Sequence, residues 1–185
     1  LSFIHSELEA QKCVIVVDPK GEITKHLLPI AKKTHKTFCL DFRHPSRSPD
    51  HWNPIESCYK LFKTGDREKM DIASTMISSL TSALYPSDDS RADPFWHQAS
   101  ARLLEGLIYA LIELCDEEYC NLSSIVSMFE QLETKICGSF AVKEFYNFLP
   151  ENSLARKALS TYITGPNDTR SSIHSVASSG IIAQL

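Results

Sequence analysis

One segment of the sequence is apolar over more than half of the circumference of a helix, and such a segment has to be buried on most of its sides. It begins at Asp93-Pro94. Proline suits the first position of a helix because the amide that it lacks would have no partner there. Apolar residues then recur at helical spacing: Phe95, Trp96, Ala99, Leu103, Leu104, Leu107, Ile108, Leu111, Ile112 and Cys115. The pattern predicts the central helix of a bundle.

Further helical patterns lie on both sides of this segment. Residues 67–84 place an apolar stripe on one face, and Asp66 or Thr64 can cap the first turn. Shorter helices are predicted after the central one, separated by glycine and proline, over residues 121–132, 139–149, 153–162 and 169–185. The middle of the chain is therefore predicted to be all-α.

The first third of the chain has the pattern of an α/β fold instead. The β-branched run at residues 13–17 suits a strand that is covered on both faces, and residues 37–42 are a second strand candidate. A helix is predicted between them, over residues 23–33. The order predicts a β-α-β unit with parallel strands and a right-handed crossover. The expected architecture is an α/β fragment with an inserted, mostly α-helical domain.

The first predicted strand ends in the turn Asp18-Pro19-Lys20-Gly21-Glu22. Ligands bind at the carboxyl ends of strands in open α/β sheets, so Asp18 is a candidate ligand-binding residue. The alternative is that Asp18 only caps the following helix, whose first turn holds Glu22 where the helix dipole favours an acid. Lys20 has three possible roles: it could bind a phosphate, pair with an acid, or remain a solvated surface lysine.

Composition excludes several classes of function. The formal net charge of -4 argues against a freestanding nucleic-acid-binding domain, because phosphate contacts need clustered lysine and arginine. No apolar run approaches the roughly 20 residues that span a bilayer, so no direct membrane contact is expected. The six cysteines lack the spacing of a zinc site and are predicted to be reduced thiols. Trp52 and Trp96 are candidates for stacking on single-stranded DNA, but core packing is the favoured interpretation.

Three motifs in the order of the chain carry a resemblance to a known family. They are Val16-Val17-Asp18-Pro19-Lys20-Gly21-Glu22, then Trp52-Asn53-Pro54-Ile55, then Asp93-Pro94-Phe95-Trp96 with Leu103-Leu104-Glu105-Gly106-Leu107-Ile108-Tyr109. Together they resemble the coupling ATPases of type IV secretion and conjugation, the TraG/TraD-like family, which is related to FtsK-like and HerA-like motors. The resemblance covers the chain from about Lys12 to Ser175.

This resemblance implies a hexameric, RecA-like P-loop motor that uses ATP and Mg to feed DNA or protein to a secretion channel. It implies that residues 1–55 belong to the nucleotide-binding domain, with Asp18, Lys20 and Glu22 near the nucleotide. Residues 56–164 would form the all-α domain that recruits relaxosome proteins or secretion substrates, and residues 165–185 would return toward the first domain. The resemblance also implies a cytoplasmic location in a bacterial protein anchored in the inner membrane, with other type IV secretion components as partners.

Two motifs of such a motor are missing from the sequence. It contains no Gly-x-x-x-x-Gly-Lys-Ser/Thr phosphate loop and no later apolar strand ending in Asp-Glu. The chain is therefore expected to be the middle of a motor and not to hydrolyse ATP by itself. Two alternatives stay open at this point: a freestanding helical protein-binding adaptor, and a degenerate FtsK-like nucleotide-binding protein.

Overall fold

A computed structural model describes residues 2–86, 94–136 and 138–182, and helices dominate them. The chain divides into two compact units, residues 1–52 and 53–185. Two short 3-10 helices cover Pro45–Arg47 and Glu117–Tyr119. The strands β1 (Lys135–Ile136) and β2 (Ser139–Phe140) pair antiparallel. The α-helices are α1 (Ser2–Glu9), α2 (Glu22–Ala31), α3 (Glu56–Phe62), α4 (Arg67–Leu84), α5 (Pro94–Leu114), α6 (Leu122–Gln131), α7 (Ala141–Phe148), α8 (Leu154–Thr164) and α9 (Asn167–Ile182).

The prediction of a β-α-β unit from a RecA-like α/β core is wrong. Within the described residues the only sheet is the β1–β2 pair, and both predicted parallel strands, residues 13–17 and 37–42, are irregular. Ile15 is 90% exposed and Val17 is 83% exposed. A strand is stable only when a neighbouring strand pairs with its backbone and covers its apolar side chains. Neither segment has such a neighbour in the described part of the chain, so β propensity alone does not produce a sheet.

Hydrogen bonds to polar side chains of the following loop fix the backbone of residues 37–42. The amide of Cys39 donates to the Asp50 carboxylate at 2.8 Å, and the amide of Asp41 donates to the Ser48 hydroxyl at 2.9 Å. The amide of Asp50 in turn donates to the Cys39 carbonyl at 3.2 Å. The following loop therefore supplies the hydrogen bonds that a neighbouring strand would supply in a sheet.

Helix α4 has the bounds that its sequence pattern predicts. The Asp66 carboxylate accepts a hydrogen bond from the amide of Lys69 at 3.0 Å and caps the first turn. The side chains of Ala73 and Ile77 are buried on the inner face. Helices α1 and α3 form where the pattern predicted no helix.

Helix α5 is the central helix of the second unit, as its apolar pattern predicts. It is described from Pro94, because Asp93 lies outside the described residues. Residues 103–112 are all buried, and α5 contacts α4, α6, α8 and α9. Among the described residues no helix combines the length and the apolar character needed to cross a membrane. The four neighbouring helices cover the buried stretch of α5.

The predicted helices that follow α5 all form, with ends shifted by a few residues. Asn121 accepts a hydrogen bond from the amide of Ser124 and caps α6, and Ser153 accepts one from the amide of Arg156 and caps α8. Helix α7 begins later than predicted because residues 139 and 140 belong to β2. Residues 183–185 of the last predicted helix lie outside the described residues. The division into segments 1–55, 56–164 and 165–185 stays a prediction.

Candidate functional site

The turn that holds the predicted site residues is organised by Asp18. One oxygen of its carboxylate accepts a hydrogen bond from the amide of Gly21 at 3.0 Å, and the other accepts from the amide of Thr24 at 2.7 Å. The bond from Thr24 is the main cause that lowers the pKa of Asp18 below its ordinary value of 3.8. Gly21 has φ +75°, a conformation that side chains other than glycine rarely adopt. Asp18 therefore caps the start of α2. Capping is the second of the two roles, ligand binding and helix capping, that the sequence allows for this residue.

The other two predicted site residues extend away from this cap. Lys20 and Glu22 are exposed, and neither forms an ion pair among the described residues. The described part of the chain also contains no group of three His, Cys, Asp or Glu side chains that could hold a metal ion. The position of Asp18, Lys20 and Glu22 near a nucleotide stays a prediction, and no catalytic step is assigned to them.

The cysteines and tryptophans show no reactive site in the described residues. Burial raises the pKa of the Cys58 thiol and raises that of Cys120 to about 11, so both thiols stay protonated. Trp96 packs against the core, as predicted, whereas Trp52 is 65% exposed and its predicted core packing is wrong. Cys137 lies outside the described residues. The described cysteines are free thiols: Cys13, Cys39, Cys58, Cys115 and Cys120.

A pocket of about 330 Å³ lies between α5 and α8 in the second unit. The two helices approach most closely at Gly106, where a Cβ atom would lie 2.6 Å from the side chain of Leu159. Arg102 and Tyr109 stand about one helical turn on either side of this glycine. The pocket is lined by Arg102, Tyr109, Leu154, Lys157, Ala158 and Thr161.

Two cationic side chains set the charge of this pocket. The Arg102 guanidinium donates to the Glu105 carboxylate at 2.8 Å, and Glu105 is only 6% exposed. The second carboxylate oxygen of Glu105 accepts a hydrogen bond from the Thr81 hydroxyl at 3.4 Å. Lys157 is exposed and has no acidic partner in the described structure. Burial raises the pKa of the Tyr109 phenol, which therefore stays a protonated donor. The arrangement is suited to binding an anion.

A second polar cluster in the same unit is structural. One oxygen of the Glu133 carboxylate accepts hydrogen bonds from the Tyr162 hydroxyl at 2.6 Å and from the Arg170 guanidinium at 3.0 Å. Arg170 is 1% exposed, and its guanidinium lies 4.2 Å from the ring centre of Phe140. The cluster joins α8, α9 and β2.

The sequence reasoning identified the turn at residues 18–22 but missed the pocket. The sequence contains one local signal for the pocket, because Arg102 is the one lysine or arginine within the apolar pattern of α5. Its partners on the other wall, Lys157 and Thr161, lie more than one helix away in the chain. Only the packing of α5 on α8 brings the two walls together.

Comparison with known proteins gives one match, and it covers nearly the whole chain. A family model described as type IV secretory system conjugative DNA transfer matches residues 3–183. No curated protein and no solved structure matches the chain significantly. The matched range contains both structural units, the turn at residues 18–22 and the pocket between α5 and α8.

Proposed function

Because the chain belongs to the type IV secretory system conjugative DNA transfer family, we propose that it is the central part of a TraG/TraD-like coupling protein. In this proposal the second unit, residues 53–185, recruits relaxosome proteins or secretion substrates. The parent protein is a hexameric motor, anchored in the inner membrane, that moves DNA or protein. Hydrolysis of ATP, assisted by Mg, would supply the driving energy in that parent, and the recruiting unit needs neither ATP nor Mg.

The observation that carries the recruiting role is the self-contained core of the second unit. Helix α5 is enclosed by α4, α6, α8 and α9 of the same unit, so the shape of the unit does not depend on a nucleotide. A recruiting module needs a surface of this kind, which is held in place before the partner arrives. Exposed apolar and aromatic side chains on this unit, such as Ile72, Tyr119 and Phe148, are of the type found in protein interfaces.

The first unit has a supporting role in the proposal. Asp18 is engaged at the start of α2, so its carboxylate orients that helix. Lys20 and Glu22 are exposed and free to approach a phosphate or a neighbouring subunit of the parent motor. No step of ATP hydrolysis is assigned to the residues of this chain.

The proposal is tested by measuring what the 185-residue chain binds. Purified relaxosome proteins and secretion substrates from the same host are titrated into the chain in a calorimeter, and ATP and short single-stranded DNA are titrated separately. We expect a host protein to bind without ATP. The Leu107→Asp variant, which disrupts the core of the second unit, should lose this binding. Tight binding of ATP or DNA together with no protein binding would contradict the recruiting role.

A further inference from the structure

We propose that the pocket between α5 and α8 binds the carboxylate of an acidic side chain from a segment of a partner protein. This inference rests on the proposed recruiting function and adds the chemistry of the partner. It concerns residues that neither the family match nor the sequence motifs single out as a site. The occupant is an exposed stretch of a protein that carries glutamate or aspartate.

The geometry of the helix crossing shapes the pocket. Gly106 allows α5 and α8 to touch, and the buried side chain of Leu159 fills the point of contact. Beside this contact Arg102 and Tyr109 of α5 and Lys157 of α8 line the same pocket. Both walls belong to regular helices, so the backbone positions from which these side chains extend are fixed before a ligand arrives.

The polar groups that line the pocket are suited to a carboxylate. Arg102 presents several N–H donors, of which one engages Glu105, and Lys157 carries an ammonium group without an acidic partner among the described residues. Tyr109 and Thr161 also line the pocket, and the Thr161 hydroxyl is a neutral donor. Charge-assisted hydrogen bonds of this kind are about twice as strong as neutral ones.

The apolar part of the lining and the size of the pocket also fit a side chain. Leu154 and Ala158 provide a surface for the methylene groups that carry a glutamate or aspartate carboxylate. A volume of about 330 Å³ lies at the lower end of the range for ligand pockets, so it suits one or two side chains and not a large cofactor.

The balance of charge favours a single carboxylate over a nucleic acid. Arg102 shares its charge with Glu105, and a second acid, Glu113, accepts a hydrogen bond at 2.8 Å from the amide of Leu154, one of the lining residues. The chain as a whole carries a formal charge of -4. A polyanion such as DNA needs a row of unpaired cations, and the pocket supplies only Lys157 and part of Arg102.

The test uses a short fluorescently labelled peptide rich in glutamate, and the same peptide with glutamine in place of every glutamate. Binding to the 185-residue chain is measured by fluorescence anisotropy. Lys157→Gln and Lys157→Glu change the pocket without removing a structural contact, because this side chain is exposed and unpaired in the described structure. Lys143→Gln is the matched control, since Lys143 is an exposed lysine of α7 that does not line the pocket.

We expect the glutamate peptide to bind and the glutamine peptide not to bind. Lys157→Gln should raise the Kd by about 1.4-fold to fivefold, the range for one exposed ion pair. Lys157→Glu should raise it by about tenfold or more, because a like charge then faces the ligand. Lys143→Gln should leave the Kd unchanged, and higher ionic strength should weaken the binding to the unmodified chain.

Three results would overturn the pocket assignment. They are equal binding of the two peptides, an unchanged Kd for Lys157→Glu, and loss of affinity in Lys143→Gln that matches the loss in Lys157→Gln. A single-stranded DNA probe that binds through Lys157 while the acidic peptide does not would assign the pocket to nucleic acid instead.

The same variants separate this inference from the proposed function. A host relaxosome or substrate protein that binds Lys157→Glu as tightly as the unmodified chain would show that this protein is not recruited through the pocket, and would leave the recruiting role standing. If the acidic peptide binds through Lys157 but no host protein binds the chain, the recruiting role fails and the pocket assignment stands.

Discussion

The contact between α5 and α8 predicts that Gly106→Ala destabilises the second unit, although alanine is the better helix former. A Cβ atom at this position would lie 2.6 Å from both Cγ and Cδ2 of Leu159, and 3.3 Å from its backbone nitrogen. Leu159 is fully buried, so its side chain has no free space to move into. One of the two helices would have to shift.

The size of the effect follows from two opposing terms. Replacing glycine by alanine inside a helix stabilises it by about 1 kcal/mol. Forcing an extra carbon into a packed core costs about 1–3 kcal/mol, and 2.6 Å is far inside the optimum of about 3.5–4.0 Å for two carbon atoms. We take the upper half of that range for Gly106, because backbone as well as side chain is involved. The net loss in the free energy of unfolding is then about 1–2 kcal/mol.

Urea denaturation measures this free energy. The chain has two tryptophans, so a Trp52→Phe background leaves Trp96, which lies in α5, as the only fluorescent reporter of the second unit. The helix-propensity term is calibrated at Ser78, an exposed position of α4. There the alanine variant should be more stable than the glycine variant by about 1 kcal/mol.

A double-mutant cycle with Leu159→Ala decides whether the clash is the cause. Leu159→Ala should by itself cost about 2–5 kcal/mol, because it leaves a cavity. In that background Gly106→Ala no longer meets a side chain and should stabilise the unit by about 1 kcal/mol. The coupling energy between the two positions is then about 2–3 kcal/mol. A stabilising effect of Gly106→Ala in the unmodified chain, or the same cost in both backgrounds, would refute the close contact.

Three further predictions concern the core, the buried ion pair and the helix cap. Leu107→Asp places an unpaired charge at a fully buried position of α5 and should cost about 4 kcal/mol or more, so circular dichroism should show a large drop in melting temperature. An unchanged melting transition would mean that α5 is not in the core. Glu133→Gln leaves the guanidinium of Arg170 buried without its carboxylate and should cost about 3–5 kcal/mol in urea denaturation, whereas Glu144→Gln on the surface should cost less than about 0.5 kcal/mol. The pKa of Asp18 is lowered in the folded state, so the stabilisation of α2 by its carboxylate is present above pH 3.8 and is lost as the pH falls through the folded pKa. Hydrogen-exchange protection of α2 should fall in that acidic range in the unmodified chain, and Asp18→Ala should abolish this change; an unaltered pH profile in the variant would show that another group is responsible.

The helices of the second unit could be predicted from the sequence because their determinants are local. Each backbone hydrogen bond of an α-helix closes within four residues, and each cap acts within the first turn. Asp66 therefore marks the start of α4, and Asn121 and Ser153 mark the starts of α6 and α8, as the structure shows. The capping role of Asp18 could also be predicted from the sequence, since its hydrogen-bond partners Gly21 and Thr24 lie within six residues of it.

The strands could not be predicted in the same way, because a strand depends on residues far away in the chain. Residues 13–17 and 37–42 have the composition of buried strands, yet no segment among the described residues pairs with them. Strand propensity mostly records how well a side chain fits a covered sheet, and it carries no information on whether that sheet exists. The prediction of an α/β core is wrong for this reason.

The sequence by itself determined the helical class of the second unit, the position of its central helix and the membership of the family, because periodicity, caps and ordered motifs are all properties of the linear chain. Only the tertiary structure decided that the apolar segments of the first unit stay unpaired and that α5 and α8 meet at Gly106. It also decided that Arg102 and Lys157 line one pocket. Such contacts join residues that are distant in the chain, and their energies depend on packing between whole elements that no local pattern records.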